Sequence, residues 1–197
     1  KFLLKVPFLD DRLLAKVKGG LMEAFGGNLV EIIVGGAPLN SEVESFLYRI
    51  GFPVTVGYGM TECGPLITYA PAWESKPRTV GRVVDRMEVR IDSADPLNLP
   101  GNILVRGDNV MKGYYKNEKA TKEVFQDNSG WMNTGDMGLI DEEGYVTVCG
   151  RSKTMILGAS GQNIYPEEIE QKLDHLPYVT ESLVIDDGGA LAALVHP

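Results

Sequence analysis

Cysteine and histidine are both scarce in this 197-residue chain, with two of each. Cys63 and Cys149 sit in dissimilar surroundings with no Cys-x-x-Cys spacing. That excludes a disulfide framework or a thiolate metal site and favours a reducing compartment, the cytoplasm. His175 and His196 are too scattered for an imidazole metal centre. No stretch approaches the roughly 18 apolar residues of a membrane-spanning helix. The opening Lys1-Phe2-Leu3-Leu4-Lys5 is apolar enough to suggest a leader, but Pro7 and Asp10 end the run too soon. Positive charge is also in short supply: the net charge of −8 argues against a nucleic-acid surface. An anionic nucleotide would therefore need local help from arginine, lysine, backbone N–H groups or Mg²⁺. There is no internal repeat and no low-complexity tract.

What is present is a soluble-type composition, 44% hydrophobic, in a length that suits one ordinary domain or two small ones. Residues 10–25 read as a helix capped by Asp10 or Asp11, with Leu13, Leu14, Val17 and Leu21 as its apolar stripe, weakened by Gly19-Gly20 and ended by Gly26-Gly27. Leu29 to Val34 has the unbroken apolar character of a buried parallel strand. A helix follows from about Ser41. Ser41 and Glu44 have capping-box spacing, and Val43, Phe46, Leu47 and Ile50 form its buried face. Val54-Thr55-Val56 is a second strand, so the order is βαβ and the sheet parallel. Residues 70–80 make a proline-containing connection. From Gly81 to Gly150 short strands recur, with a hairpin around Asp141-Glu142-Glu143-Gly144, and a short helix falls at Lys119–Phe125. That spacing suggests a small barrel or distorted sheet. Beyond Gly150 come a hairpin around 158–161, a helix opened by Pro166 with Glu167 and Glu168 in its first turn, and two strands around Asp187-Gly188-Gly189.

The chemistry-bearing stretch is Gly57-Tyr58-Gly59-Met60-Thr61-Glu62, at the carboxyl end of the second strand. Ligands of open α/β sheets bind at strand carboxyl ends. The glycines let backbone approach a ligand, the Thr61 hydroxyl can bond a phosphate oxygen, and the Glu62 carboxylate can hold Mg²⁺. An ordinary strand-to-loop turn accounts for the same residues. Asp136, after a Thr-Gly turn, can take the two hydroxyls of a ribose or can bond its own backbone. Arg151 is always charged and presents a rigid fork of donors; taken alone it reads as a surface salt bridge. Cys63 has no histidine partner nearby, which argues against a nucleophilic thiolate.

Five blocks occur in order: Gly35-Gly36-Ala37-Pro38-Leu39, the Gly57–Glu62 stretch, Pro100–Tyr115 with Asn109-Val110-Met111-Lys112-Gly113-Tyr114-Tyr115, Gly130–Asp136, and Gly150-Arg151-Ser152-Lys153 leading to Gly161–Glu170. Together they resemble the acyl-adenylate-forming enzymes, and most of all the long-chain fatty acid–CoA ligases. The resemblance implies ATP, Mg²⁺ and CoA as cofactors and a fatty acid as substrate, with room for peripheral membrane contact by the whole enzyme. It implies that Gly35, Gly36, Ala37, Pro38, Gly57, Tyr58, Gly59, Met60 and Thr61 surround the adenylate. It also implies that Glu62 binds the metal, Asp136 and Arg151 bind ribose or phosphate, Lys153 is an interdomain hinge, and Gly161 and Gln162 lie beside CoA.

The implied layout is the end of an α/β nucleotide-binding domain at 1–76, a small distorted β-barrel at 77–150, a hinge at 151–154 and the start of a compact α+β domain at 155–197. Such enzymes are far longer. The phosphate loop before these blocks and the lysine near the C-terminus are not in this sequence, so the chain is expected to be a fragment without ligase activity of its own.

Overall fold

The computed structural model describes residues 7–126, 129–158 and 162–197. Helix α1 (Pro7–Ala24) runs through Gly19-Gly20, and the N–H of Gly27 closes its end on the Met22 carbonyl at 2.8 Å. Leu14, Val17 and Leu21 pack on Ile50, Phe52 and Val54, whereas Leu13, expected in the same stripe, is exposed.

Strands β1 (Ile32–Val34) and β2 (Val54–Val56) pair in parallel around helix α2 (Ser41–Arg49), which gives the expected βαβ unit. Two details differ from expectation. The helix is capped by Asn40, not Ser41: the Asn40 carboxamide oxygen accepts from the N–H groups of Glu42 and Val43 at 2.8 and 2.9 Å. Glu44 is accordingly not a capping residue. It is buried, and its carboxylate accepts the backbone N–H of Arg78 at 3.0 Å, across 34 residues. This rotates the buried face, leaving Val43 and Phe46 exposed while Ile50 stays in the core. Strand β1 is also shorter than its apolar run. Val30 and Ile33 are exposed, because among the described residues this sheet has only two strands.

A hairpin of β3 (Tyr58–Gly59) and β4 (Leu66–Tyr69) extends from β2, and β5 (Arg82–Val83) pairs with β4. Next comes the largest sheet, antiparallel β6 (Met87–Asp92), β7 (Gly101–Gly107), β8 (Met132–Ile140) and β9 (Val146–Arg151), with α3 (Glu118–Val124) between β7 and β8. The strands expected to form a small distorted barrel thus form an open sheet. Its outer strands β6 and β9 do not pair with each other, and bulges interrupt β7–β8 and β8–β9. Ile91, Ile103, Val105, Met132 and Val146 build the main core on one face of this sheet, joined by Ile67 and Cys63 from the β3–β4 hairpin. Just before β8 the Trp131 ring lies beneath the guanidinium groups of Arg90 and Arg106, 4.9 and 4.8 Å from its centroid, a packing role for this tryptophan.

After β9 come the short pair β10 (Ile156–Leu157) and β11 (Asn163–Ile164), helix α4 (Pro166–Leu173) with proline in its first turn, and the ribbon β12 (Glu181–Asp187) and β13 (Ala190–His196). These match the elements expected from the sequence. No helix among the described residues is long and apolar enough to cross a membrane.

Candidate functional site

Parallel strands β1 and β2 end side by side on glycine. The N–H of Gly57 donates to the Val34 carbonyl at 2.9 Å, and a Cβ on Gly35 would meet the Gly57 oxygen at 3.5 Å. Gly36 takes a positive φ of 83°, and Gly35, Gly36, Ala37 and Pro38 all lie exposed at this strand end. Of the predicted adenine-side residues, Gly35 is therefore brought beside Gly57, and Gly36, Ala37 and Pro38 follow it along the chain.

Gly59 is required by contact rather than by φ. A Cβ there would lie 2.1 Å from the Pro65 oxygen, because the two arms of the hairpin cross backbone to backbone. The Met60 N–H donates to the same oxygen at 2.8 Å. Thr61–Cys63 then form a single 3₁₀ turn, which the left-handed Gly64 closes at φ 66°. Thr61 is exposed, Glu62 half-buried and Cys63 fully buried. Burial, with the Glu62 charge second, pushes the Cys63 thiol up to about 11, which makes it a poor nucleophile at neutral pH.

The turn is gripped from outside by the segment after β7. Asn109 Nδ2 donates to the carbonyls of Cys63 and Leu66 at 2.6 and 2.9 Å. The Met111 N–H donates to the Glu62 carbonyl at 2.7 Å, and the Tyr114 hydroxyl donates to Glu62 Oε1 at 2.8 Å. The sequence puts Asn109 and Tyr114 in one of the five blocks but assigns them no role. The only signal there was a carboxamide and a phenol in a glycine-containing stretch without periodicity.

Asp136 stands opposite. It lies on β8, in register with Arg151 on β9. Its Oδ2 accepts the Tyr58 hydroxyl at 2.6 Å, and its Oδ1 lies 3.5 Å from Arg151 Nε. The Asp136 side chain is only 13% exposed, whereas that of Arg151 is 73% exposed. Burial, and then the Asp136 charge, raise the Tyr58 hydroxyl far above its ordinary value, so Tyr58 stays a neutral donor. The bulged part of β8 before Asp136 is held by Thr134 Oγ1, which donates to the Ile103 carbonyl at 3.0 Å, and turns at Gly135 with φ 81°. Asp136 is thus a mostly covered carboxylate that accepts the Tyr58 hydroxyl and pairs with an exposed guanidinium.

Lys153 is exposed. On one side of it, both the N–H and the hydroxyl of Ser152 bond the Gly135 carbonyl, at 2.9 and 3.0 Å. On the other side, the Thr154 hydroxyl donates to the Glu167 carboxylate on α4. Lys153 is the residue between two anchors that belong to different elements. Gly161 lies outside the described residues. Gln162 is exposed, and its carbonyl accepts the Gly158 N–H at 2.8 Å. No cluster of three or more His, Cys, Asp or Glu residues occurs among the described residues.

Glycine-ended parallel strands, a half-buried tyrosine–aspartate bond and an exposed arginine come together in a mixed α/β protein at strand carboxyl ends, the position where open α/β sheets take ligands. Comparison with known proteins goes further: the chain belongs to the AMP-binding enzyme family, which matches it over residues 2–115. It is 38% identical over 167 residues to the long-chain-fatty-acid–CoA ligase FadD15 of Mycobacterium bovis, an alignment covering 85% of this chain and 26% of that protein. The chain thus spans about a quarter of that relative's length. Among solved structures, it resembles o-succinylbenzoate CoA synthetase from Bacillus subtilis in complex with its acyl-adenylate intermediate. The TM-score is 0.74 and the identity 29%, covering 90% of this chain and 40% of the other. The same synthetase in complex with ATP and magnesium ion matches with TM-score 0.73 and 29% identity, over 90% of this chain and 41% of that one.

Proposed function

We propose that this chain is part of an ATP-dependent CoA ligase that activates a long-chain fatty acid. A carboxylate oxygen of the acid attacks the α-phosphorus of ATP, the bond to the β-phosphate oxygen breaks, and pyrophosphate leaves. The CoA thiol, giving up its proton, then attacks the acyl carbonyl carbon and AMP departs. The observation that carries this reading is the Tyr58–Asp136–Arg151 group set against the glycine ends of β1 and β2. In it, Asp136 accepts from the ribose hydroxyls and Tyr58 lies against the adenine, bordered by Gly35, Gly36, Ala37 and Pro38. Arg151 swings onto ribose or phosphate, and Gly57, Gly59 and Met60 shape the approach to Thr61, which contacts phosphate.

Glu62 fits Mg²⁺ by the chemistry of its donor set. Magnesium keeps several waters and takes one or two carboxylates together with substrate phosphates. Bound there, the ion would neutralise charge on the phosphates. The protein's own part is to hold one carboxylate in place. Gly161 and Gln162 would lie beside the pantetheine arm of CoA once the C-terminal unit has turned about Lys153. The anchoring of Ser152 and Thr154 to different elements supports that pivot, and with it a division into units at 1–76, 77–150 and 155–197.

The fatty ligase FadD15 supports a long-chain acid; the likeness to the o-succinylbenzoate synthetase favours an aryl acid as the second reading. The deciding experiment is exchange of labelled pyrophosphate into ATP by the whole enzyme, with Mg²⁺ and a panel of acids. Exchange should require a long-chain fatty acid. Exchange with aryl acids alone would transfer the assignment to them, and AMP binding without exchange on any acid would leave a non-catalytic nucleotide-binding protein. We place the enzyme in the cytoplasm, with the fatty acid, ATP and CoA as small-molecule partners, no nucleic acid, and room for peripheral membrane contact by the whole enzyme.

A further inference from the structure

We propose that Tyr114 is a positioning residue for Glu62, fixing one carboxylate oxygen so that the other is presented to a divalent cation carried by the nucleotide. This rests on the reading of Glu62 as the metal's carboxylate. A glutamate side chain has three rotatable bonds, and at an exposed turn it would lose that freedom only on binding. Here it has already been lost. The Tyr114 hydroxyl donates to Glu62 Oε1 at 2.8 Å, and the hydrogen bond to a charged acceptor is of the stronger kind.

Tyr114 is held in turn. Its N–H donates to Thr121 Oγ1 at 2.9 Å, and that hydroxyl donates to the Asn117 carbonyl at 2.9 Å, at the start of α3. Gly113, at φ 144°, brings the chain so close to Thr121 that a Cβ would sit 2.8 Å from its methyl group. The backbone beneath Glu62 is fixed independently, by the Met111 N–H on its carbonyl and by Asn109 on Cys63 and Leu66. The main chain of the turn therefore does not need Tyr114. What the phenol adds is the orientation of the carboxylate, and a hydrogen bond to a metal-binding carboxylate is a recurrent way of tuning such ligands.

The test compares Tyr114→Phe with Glu62→Gln in the whole enzyme. Mn²⁺ serves as the probe in the presence of α,β-methylene-ATP, with free Mn²⁺ counted by electron paramagnetic resonance. AMP binding without metal is measured alongside. Tyr114→Phe keeps the ring and its packing, so AMP affinity should stay unchanged. Mn²⁺ affinity should fall about tenfold, the lower end for an outer hydrogen bond to a metal ligand. The Mg²⁺ concentration for half-maximal adenylation should rise by the same factor, with kcat recovering at high Mg²⁺.

Glu62→Gln should lose more Mn²⁺ affinity than Tyr114→Phe. Wild-type Mn²⁺ affinity in Tyr114→Phe, with loss in Glu62→Gln, overturns the inference and spares the Glu62 reading. Parallel loss of AMP and Mn²⁺ binding in Tyr114→Phe also overturns it, because a general structural role predicts that. Unchanged Mn²⁺ affinity in both variants removes Glu62 from the metal site and the inference with it.

Discussion

The bond between Tyr58 and Asp136 should show as a large coupling in a double-mutant cycle, and the geometry sets its size. The oxygens are 2.6 Å apart, and the carboxylate is 13% exposed. A hydrogen bond to a charged group in such a place contributes about 1.5–3 kcal/mol. The Arg151 contact to the same carboxylate is 3.5 Å long and its guanidinium is 73% exposed, so solvent screens it to about 0–1 kcal/mol. Urea unfolding of wild type, Tyr58→Phe, Asp136→Ala and the double variant should therefore give a coupling above about 1.5 kcal/mol. The cycle with Arg151→Ala should give well under about 1 kcal/mol.

The pH dependence has a definite sign. The folded hydroxyl ionises well above the ordinary tyrosine value because burial and the Asp136 charge favour its neutral form. Its contribution is then fully present below about pH 10 and is lost as pH rises past the unfolded value. Tyr58→Phe should flatten that alkaline loss. AMP calorimetry supplies the functional arm: on the proposed ribose contact, which would give two charge-assisted bonds, Asp136→Ala should weaken binding by about 2–4 kcal/mol, roughly 30- to 1000-fold. A Tyr58–Asp136 coupling below about 0.5 kcal/mol, or one smaller than that of the Arg151 pair, would refute the reasoning.

Three further outcomes are expected. Gly59→Ala should destabilise the protein by more than about 3 kcal/mol, since its Cβ would meet backbone at 2.1 Å, while Gly35→Ala, with an ordinary 3.5 Å contact, should cost under about 1 kcal/mol; equal melting temperatures would discount the crossing of the hairpin arms. Lys153→Pro fixes φ and should impair one of the two half-reactions more than the other, whereas Lys153→Ala should be mild; equal loss of both steps in a folded proline variant would sink the pivot. With thiols pushed from 9.0 to about 11 by burial, Cys63 and Cys149 should react with iodoacetamide at pH 8 about a hundredfold more slowly in the native protein than after unfolding, and the native rate should climb with pH; equal native and unfolded rates would contradict their burial.

Much of the architecture is local, and the sequence alone determined it. The βαβ unit, the hairpin around Asp141–Gly144, the proline-opened helix at 166 and the strands around Gly188-Gly189 follow from periodicity, turn residues and caps within a dozen positions of each other. The glycine blocks and their order were enough to name a family, because backbone approach to a ligand leaves its mark in residue type. Tertiary structure decided what depends on distant partners. Asn40 and Ser41 are both good caps, and it was the chain's path into α2 that chose Asn40. Glu44 left its predicted capping role for a backbone N–H 34 residues away. Whether four antiparallel strands close or stay open depends on the pairing of β6 with β9, which no local signal encodes. Tyr58 meets Asp136 across 78 residues and Tyr114 meets Glu62 across 52, and both pairs join groups whose sequence neighbours give no hint of the other. A side chain's preference for its own helix or turn is written beside it, but its hydrogen-bond partner is set by which strands come to lie together, and only the folded chain fixes that.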